Sequence, residues 1–474
     1  MMLSTQSSQP LNTNVIDYSA NALPKSELST SRTAALSSAL PVSSSSAPSY
    51  FVATNGSDQN AGTIDKPLKT VQAAVGKIVD GKGGNIFLRG GTHTLNDTIW
   101  VGDYNDGSAS SRLVIRPYQD EKAILDGQNR DIVGVSVGGQ YVDVAGLEIR
   151  NTKMGVISWG GRHLGILNNT IHDTNDTGIA SYAPKVFGSA DVRVDGNVVY
   201  HTNLKNSHRG DSGNWGSGIT MSRTDGAVVT NNQVYENYGE GITGTLSNNV
   251  RIANNVVHDN YSVELYLDNA TNSVVENNFV YNSGNATYFR KSSGIPQPAS
   301  GIRMANEDYG SDSNPSDRNI VRNNIVSGTL AGFEYANYGK GGGMKNSQIV
   351  NNTFYGGTET MLRISSGSHQ NTAIANNIFY QTKGKPMADM QPSSGVALDH
   401  NLWFGGAAGK AASSSDINGD PMLVKAGGFQ AVDYKVQNGS AAIDKGAARS
   451  DVTTDFFGER RPVNKMEIGA DEFN

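Results

Sequence analysis

From about Gly155 to Tyr380 the chain alternates short apolar runs with polar corners, and the alternation repeats. Asn231-Asn232, Asn254-Asn255 and Asn277-Asn278 follow one another at 23-residue intervals. The Gly218-Ile219 and Gly241-Ile242 pairs and Glu264-Leu265 keep the same step. Looser copies carry Asn168-Asn169, Gly196-Asn197, Asn323-Asn324, Asn351-Asn352 and Asn376-Asn377. Within each copy, runs such as Val250-Arg251-Ile252-Ala253 and Val274-Val275-Glu276 have the period of strands. A period near 23 built from strand-type runs predicts stacked coils. No single coil can bury its apolar side alone, so the array folds as one solenoid. Asn suits the corners because it tolerates the left-handed backbone region and its amide can bond nearby backbone. Stacked Asn amides can also bond one another along the array.

The flanks read differently. Residues 1–48 are rich in Ser, Thr and Ala and predict a disordered leader or linker. Residues 49–474 then form one domain. Tyr50 to Asp58 reads as a strand running into a turn, and Lys69 to Val79 has helical spacing, with Val71, Val75, Ile78 and Val79 on one side. That helix is predicted to cover the open end of the solenoid, within an N-terminal cap over about 50–85. After Tyr380 the repeat weakens, and about 430–474 is predicted to close the other end.

Composition narrows the function. Charged residues are 17% of the chain and the net charge is -6, without the basic footprint of a nucleic-acid binder. There is no cysteine, so no disulfide framework and no thiolate metal site. No apolar run approaches the length of a membrane span.

The Asn-paired coils, the Asn55-Gly56-Ser57-Asp58 turn before Pro67 to Ala74, and the Glu467 to Phe473 ending resemble the right-handed parallel β-helix superfamily. Pectate lyases, alginate lyases and mannuronan epimerases belong to it. The resemblance implies an all-β, right-handed parallel β-helix. It also implies a secreted or cell-surface monomer acting on an acidic, uronate-containing polysaccharide, and it raises Ca2+ as a cofactor. The chain lacks the Asp-Pro-His-(Asp/Glu) motif of the epimerases and the Asp-rich cluster of calcium-dependent pectate lyases.

Interruptions of the period point to the site, because inserted loops are where a rigid solenoid gains function. The step from the second Asn of a pair to the next strand start is 9 residues from Asn232 to Gly241, but 21 from Asn197 to Gly218 and 23 from Asn278 to Gly301. The inserts over 201–217 and 282–300 leave the same corner two coils apart, and a third spans Asn306 to Asp317. Alternation places Ile219, Ile242, Leu265 and Ile302 inward. Thr220, Thr243, Tyr266 and Arg303 then form one outward column. A second outward column holds Tyr182, Ser222, Thr245 and Asp268, with Trp159 one coil earlier. Glu264 replaces the Gly of a strand start and is expected to face outward with them.

β-Elimination on a uronate needs a cation for the carboxylate, a base for the C5 proton and an acid for the leaving oxygen. Arg303 and Lys291 are candidates for the cation, and Tyr266 and His208 for the base and acid. Trp159, Tyr182, Arg290 and Glu264 are candidates for substrate binding. Asp268 and Glu307 are candidate Ca2+ ligands. An epimerase would use the same parts, a hydrolase two carboxylates, and a non-catalytic glycan-binding protein none of the acid–base groups. His172 and His258 occupy the turn position of Tyr200, Tyr235 and Tyr281 and read as corner packing.

Overall fold

The computed structural model describes residues 47–473 apart from 185–187, 211–214, 292–293, 314, 340, 383 and 463–464. The predicted leader lies almost wholly outside the described residues. One coil shows how the repeat folds. Glu240–Thr245 lies in sheet 1, Arg251–Ala253 in sheet 2 and Val256–His258 in sheet 3, and Val263–Asp268 re-enters sheet 1. Every strand pair between coils is parallel, and Ile242 stands on Leu265, Ile302, Phe333 and Leu362 in turn. The molecule is a right-handed parallel β-helix.

The core is a set of three columns. Ile242, Leu265 and Ile302 from sheet 1 meet Ile252, Val275 and Val321 from sheet 2 and Val257, Val280 and Val326 from sheet 3, all without exposed surface. Each such side chain contributes roughly 1.5–3 kcal/mol by burial.

The Asn corners work as a ladder. The first Asn of each pair takes the left-handed conformation, with φ of 57° at Asn231, 57° at Asn254 and 54° at Asn277. The second turns inward. Asn232 Nδ2 donates to Asn255 Oδ1 at 3.0 Å, Asn255 to Asn278 at 2.9 Å and Asn278 to Asn324 at 2.9 Å. The series runs from Asn169 to Asn401.

The N-terminal helix is shorter than expected. It spans Val71–Val75, is capped by the Thr70 hydroxyl accepting from the Ala73 amide, and ends at Gly76. Ile78 is still buried, but Val79 is exposed. Val71, Ala74 and Val75 cover the end of the core beside Val52, Leu68 and Ile86.

The C-terminal region also departs from expectation. Met387, Met390, Ala408 and Ala411 join the core at the last coil. The chain beyond runs back along the outside of sheet 3 as a strap. Tyr434 packs near Phe279 and Tyr355, and Phe429 near Tyr281. Asn323 donates to the Thr454 carbonyl at 2.7 Å and Asn376 to the Ala447 carbonyl at 2.9 Å, so the strap also grips the Asn corner. The cause is compositional: Phe279, Tyr281, Tyr355, Tyr380 and Phe404 face outward on sheet 3 and need cover.

Candidate active site

The three inserts converge on the outer face of sheet 1. The first two touch: the Lys291 amide donates to the Arg209 carbonyl at 3.3 Å and Arg209 Nη1 to the Ala286 carbonyl at 2.5 Å, while Tyr261, on the coil between them, donates its hydroxyl to the Gly210 carbonyl at 2.7 Å. The Arg290 guanidinium lies over the Trp215 ring at 5.0 Å. The third insert folds back along the opposite side and is pinned to the Ser217–Ser222 coil by an Arg223–Asp312 ion pair of 2.5 Å. These loops recess the outward column, leaving Tyr266 only 4% and Arg303 9% exposed.

Two networks meet beneath the loops. In one, Tyr266 donates to Glu307 Oε1 at 2.8 Å, and the Tyr309 hydroxyl donates to Asp268 and, at 3.4 Å, to Glu307 Oε2. The Glu307 amide donates to Asn269 Oδ1 at 2.7 Å and to Asp268 Oδ1 at 3.2 Å, which fixes the third insert to the strand end. In the other, Arg303 donates through Nε and Nη2 to Glu334 Oε2 at 3.1 and 2.9 Å, and the Ser300 hydroxyl donates to the same oxygen at 2.9 Å. Arg363 Nη1 stands 3.5 Å from Glu334 Oε1. The Arg303 guanidinium lies 5.8 Å from the Tyr266 ring centroid, so it joins the networks.

Glu240 completes the site. It starts the strand one coil before Tyr266, and its half-buried carboxylate feels attraction from Arg303 and Arg290 and repulsion from Glu307 and Asp268. Burial is the larger effect and pushes its pKa up to about 8. Burial likewise pushes Asp268 up to about 7, against the Tyr309 hydrogen bond. Burial raises the Tyr266 phenol well above its ordinary value, and Asp268 and Glu307 add to this, so Tyr266 stays protonated. For Glu334, burial opposes ionisation, but Arg303 and Arg363 win and hold its pKa low.

The expected site residues therefore separate. Tyr266, Arg303, Asp268 and Glu307 come together, while Arg290 lies in the wall. His208 and Lys291 are exposed on the inserts, and the Trp159 and Tyr182 rings pair at 6.3 Å on the same sheet four and three coils before Asp268. Glu264 does not face the groove. It is fully buried, turned into the corner, with Oε1 accepting from the Asn260 amide at 3.1 Å and Oε2 from the Asn260 side chain. Glu240, Glu334 and Tyr309 were not picked out from the sequence. Their signal was adjacency: Glu240 precedes a repeat Gly, Glu334 follows Arg303 in the outward column, and Tyr309 lies in the third insert.

The donor set does not fit a Ca2+ cage, which takes about six to eight oxygens. Asp268 and Glu307 spend their facing oxygens on tyrosine hydroxyls and backbone amides. Among the described residues, the one set of three carboxylates with converging oxygens lies in the C-terminal strap.

Parallel coils and a loop-walled groove on sheet 1 define a parallel β-helix protein with its polar chemistry on one face. The chain belongs to the Pel9A-like right-handed β-helix family, whose model matches residues 50–385. It is 42% identical over 82 residues to pectate lyase PEL9 of Emericella nidulans, a match covering 17% of this chain and 19% of that protein. It is 30% identical over 183 residues to pectate lyase L of Paenibacillus polymyxa, covering 37% of this chain and 39% of that protein. The matches thus span 19% and 39% of these relatives' lengths. Among solved structures, pectate lyase Pel9A superposes with a TM-score of 0.55 at 17% identity, covering 93% of this chain and 99% of that one. XylC with xylose gives 0.57 at 13% identity, covering 89% and 98%. Both show the fold.

Proposed function

We propose that this chain is a polysaccharide lyase that cleaves a uronate-containing polymer by β-elimination in the sheet 1 groove. The observation that carries the reading is family membership over residues 50–385, a segment containing every groove residue. The named relatives are pectate lyases, which makes a galacturonate polymer the first substrate to try.

The residues divide the work as follows. Arg303 stays cationic beside Glu334 and balances the charge that builds on the uronate carboxylate as C5 is deprotonated. Glu240, held near pKa 8, is a stronger base than an ordinary carboxylate and takes the C5 proton. The C5–H electrons form the C4–C5 double bond, the C4–O bond breaks, and Tyr266 delivers its proton to the leaving oxygen. Tyr266 suits the acid role because its neutral form is the favoured one. No step is routed through a metal.

A hydrolase is the second reading, supported by the raised pKa of both Glu240 and Asp268. One experiment separates them. Incubation with polygalacturonate, alginate and a glycosaminoglycan is followed by ultraviolet absorbance of the unsaturated uronate and by reducing ends. Both signals together support the lyase, and reducing ends alone support the hydrolase. Neither signal with any polymer would overturn both.

A further inference from the structure

The strap holds a second concentration of charge on a different face from the groove. Asp455, Glu459 and Asp471 each offer a carboxylate oxygen, and these oxygens all lie within 4.8 Å of one another. That is the spread of oxygens that can ligate one ion at about 2.4 Å. The backbone sets the arrangement. The Asp455 carboxylate accepts from the Glu459 amide at 2.7 Å and the Glu472 amide at 3.1 Å, closing a tight turn. Asp471 Oδ2 accepts from the Val436 amide at 2.8 Å.

Two oxygens are left over. Asp471 Oδ1 and Glu459 Oε2 are buried and have no hydrogen-bond partner, although Asp471 as a whole is only 2% exposed. An unpartnered buried carboxylate oxygen is costly. Lys435 faces the cluster beyond hydrogen-bond geometry at Asp471, its Nζ 3.7 Å from Asp471 Oδ1 and 3.5 Å from Glu459 Oε1, over the Phe457 ring. Arg461 is committed to Glu472 at 3.0 Å and to the Gly469 carbonyl at 2.7 Å. Counting Glu467 and Glu472, five carboxyls face two cations, Lys435 and Arg461. Charge and orphaned oxygens therefore point the same way.

We infer that Asp455, Glu459 and Asp471 bind a hard divalent cation, best matched by Ca2+, which ties the Asp455 to Glu459 turn of the strap to the chain end at Asp471. The donors are all oxygen, which excludes a soft metal, and irregular carboxylate geometry suits Ca2+ better than the near-ideal octahedron of Mg2+. Water completes the shell from the Glu459 side, which is partly exposed. The role is structural, because the strap covers sheet 3 and the Asn corner rather than the groove. The inference does not depend on the proposed lyase reaction.

The test uses the full chain, stripped with EDTA and dialysed. Calorimetric titration with CaCl2 is expected to show a site lost in Asp471→Asn and weakened at least tenfold in Glu459→Gln. It should be retained in Asp268→Asn, which alters the groove. Saturating Ca2+ is expected to raise Tm in the parent and in Asp268→Asn but not in Asp471→Asn. Glu459→Gln lies on the partly exposed rim and keeps the test available if Asp471→Asn fails to fold. Absence of Ca2+ binding in the parent, or binding unchanged in Asp471→Asn or Glu459→Gln, would overturn the inference and leave Lys435 as the cluster's counter-charge.

Discussion

Replacing Arg303 by Met should cost the fold about 3 kcal/mol, and the cost should be largely recovered by also replacing Glu334 with Leu. Glu334 is 6% exposed, and Arg303 supplies two hydrogen bonds to its Oε2, at 3.1 and 2.9 Å. Breaking a buried pair from one side typically costs about 3–5 kcal/mol, because the partner's charge stays buried. Here the Ser300 hydroxyl at 2.9 Å and Arg363 at 3.5 Å still face Glu334, which places the loss at the lower end. In the double variant no buried charge is stranded, since Arg363 keeps its 2.6 Å pair with Glu359. It should therefore fall within about 1 kcal/mol of the parent.

The pH dependence has a definite sign. In the parent, the lowered Glu334 pKa contributes stability above the unfolded carboxyl range, which is lost as pH falls through the folded value. In Arg303→Met the Glu334 pKa rises, so that variant gains less stability than the parent as pH increases, and the gap to the parent widens with pH. Urea unfolding of the parent, both single variants and the double variant, at mildly acidic and mildly alkaline pH, measures the cycle. A single-variant loss under about 1 kcal/mol, or a double variant no better than the singles, would show that the pair is not buried in the sense argued. Turnover, in contrast, should drop roughly 100-fold or more in Arg303→Met and in the double variant, because the cation is gone from both.

Two further outcomes follow from the same geometry. If Glu240 is the base, kcat/KM should climb with pH until about 8, and Glu240→Gln should remove that limb along with most of the activity. An unchanged limb in Glu240→Gln would assign it to another group. The same substitution should stabilise the fold progressively as pH rises from the ordinary carboxyl range to about 8, with the full gain above 8, because the raised folded pKa lets the unfolded chain ionise first. In the ladder, Asn255 donates to Asn278 Oδ1 at 2.9 Å and the Val229 carbonyl at 3.0 Å, and accepts from the Asn232 amide at 2.9 Å. Asn255→Ala should cost about 2–4 kcal/mol in urea unfolding, and a loss below 0.5 would mean that water fills the corner.

The solenoid was legible because every coil solves the same problem with the same residues. A left-handed corner and an inward amide recur wherever Asn231, Asn254 and Asn277 and their partners stand, so the period carries the fold directly. The inserts were legible as departures from that period, and the third of them brings Glu307 and Tyr309 to Tyr266 and Asp268. The strap was misread because its partner is not local. Nothing in residues 430–474 alone says that they lie along Tyr281 and Tyr355 rather than over the last coil; the aromatic outer face of sheet 3 decides it. Glu334 and Glu240 went unnoticed because each becomes chemical only through a neighbour one or two coils away.

Glu264 shows how a correct signal can be assigned to the wrong cause. It does break the Gly pattern of the strand starts, and alternation alone sends it outward with Tyr266. The corner, however, interrupts alternation: Val263 packs outward with Tyr266 and Ala305, while Glu264 and Leu265 both turn inward. The reason is a second, shorter ladder. Asn260 Oδ1 accepts from the Asn237 amide at 3.3 Å and from the Asn237 side chain at 2.7 Å. One coil further on, the matching position is Ser283, at the root of the 282–300 insert, and Ser283 bonds Asp259 instead. Asn260 is left without its successor, and Glu264 accepts from its backbone amide and its side chain in the successor's place. The earlier strand starts cannot hold such a side chain: a Cβ on Gly241 would lie 2.7 Å from Val257 and 3.0 Å from Asn260 Nδ2, where the ladder continues. The exchange of Gly for Glu at this coil therefore marks the insert that ended the ladder, and the carboxylate that reaches the groove is Glu240.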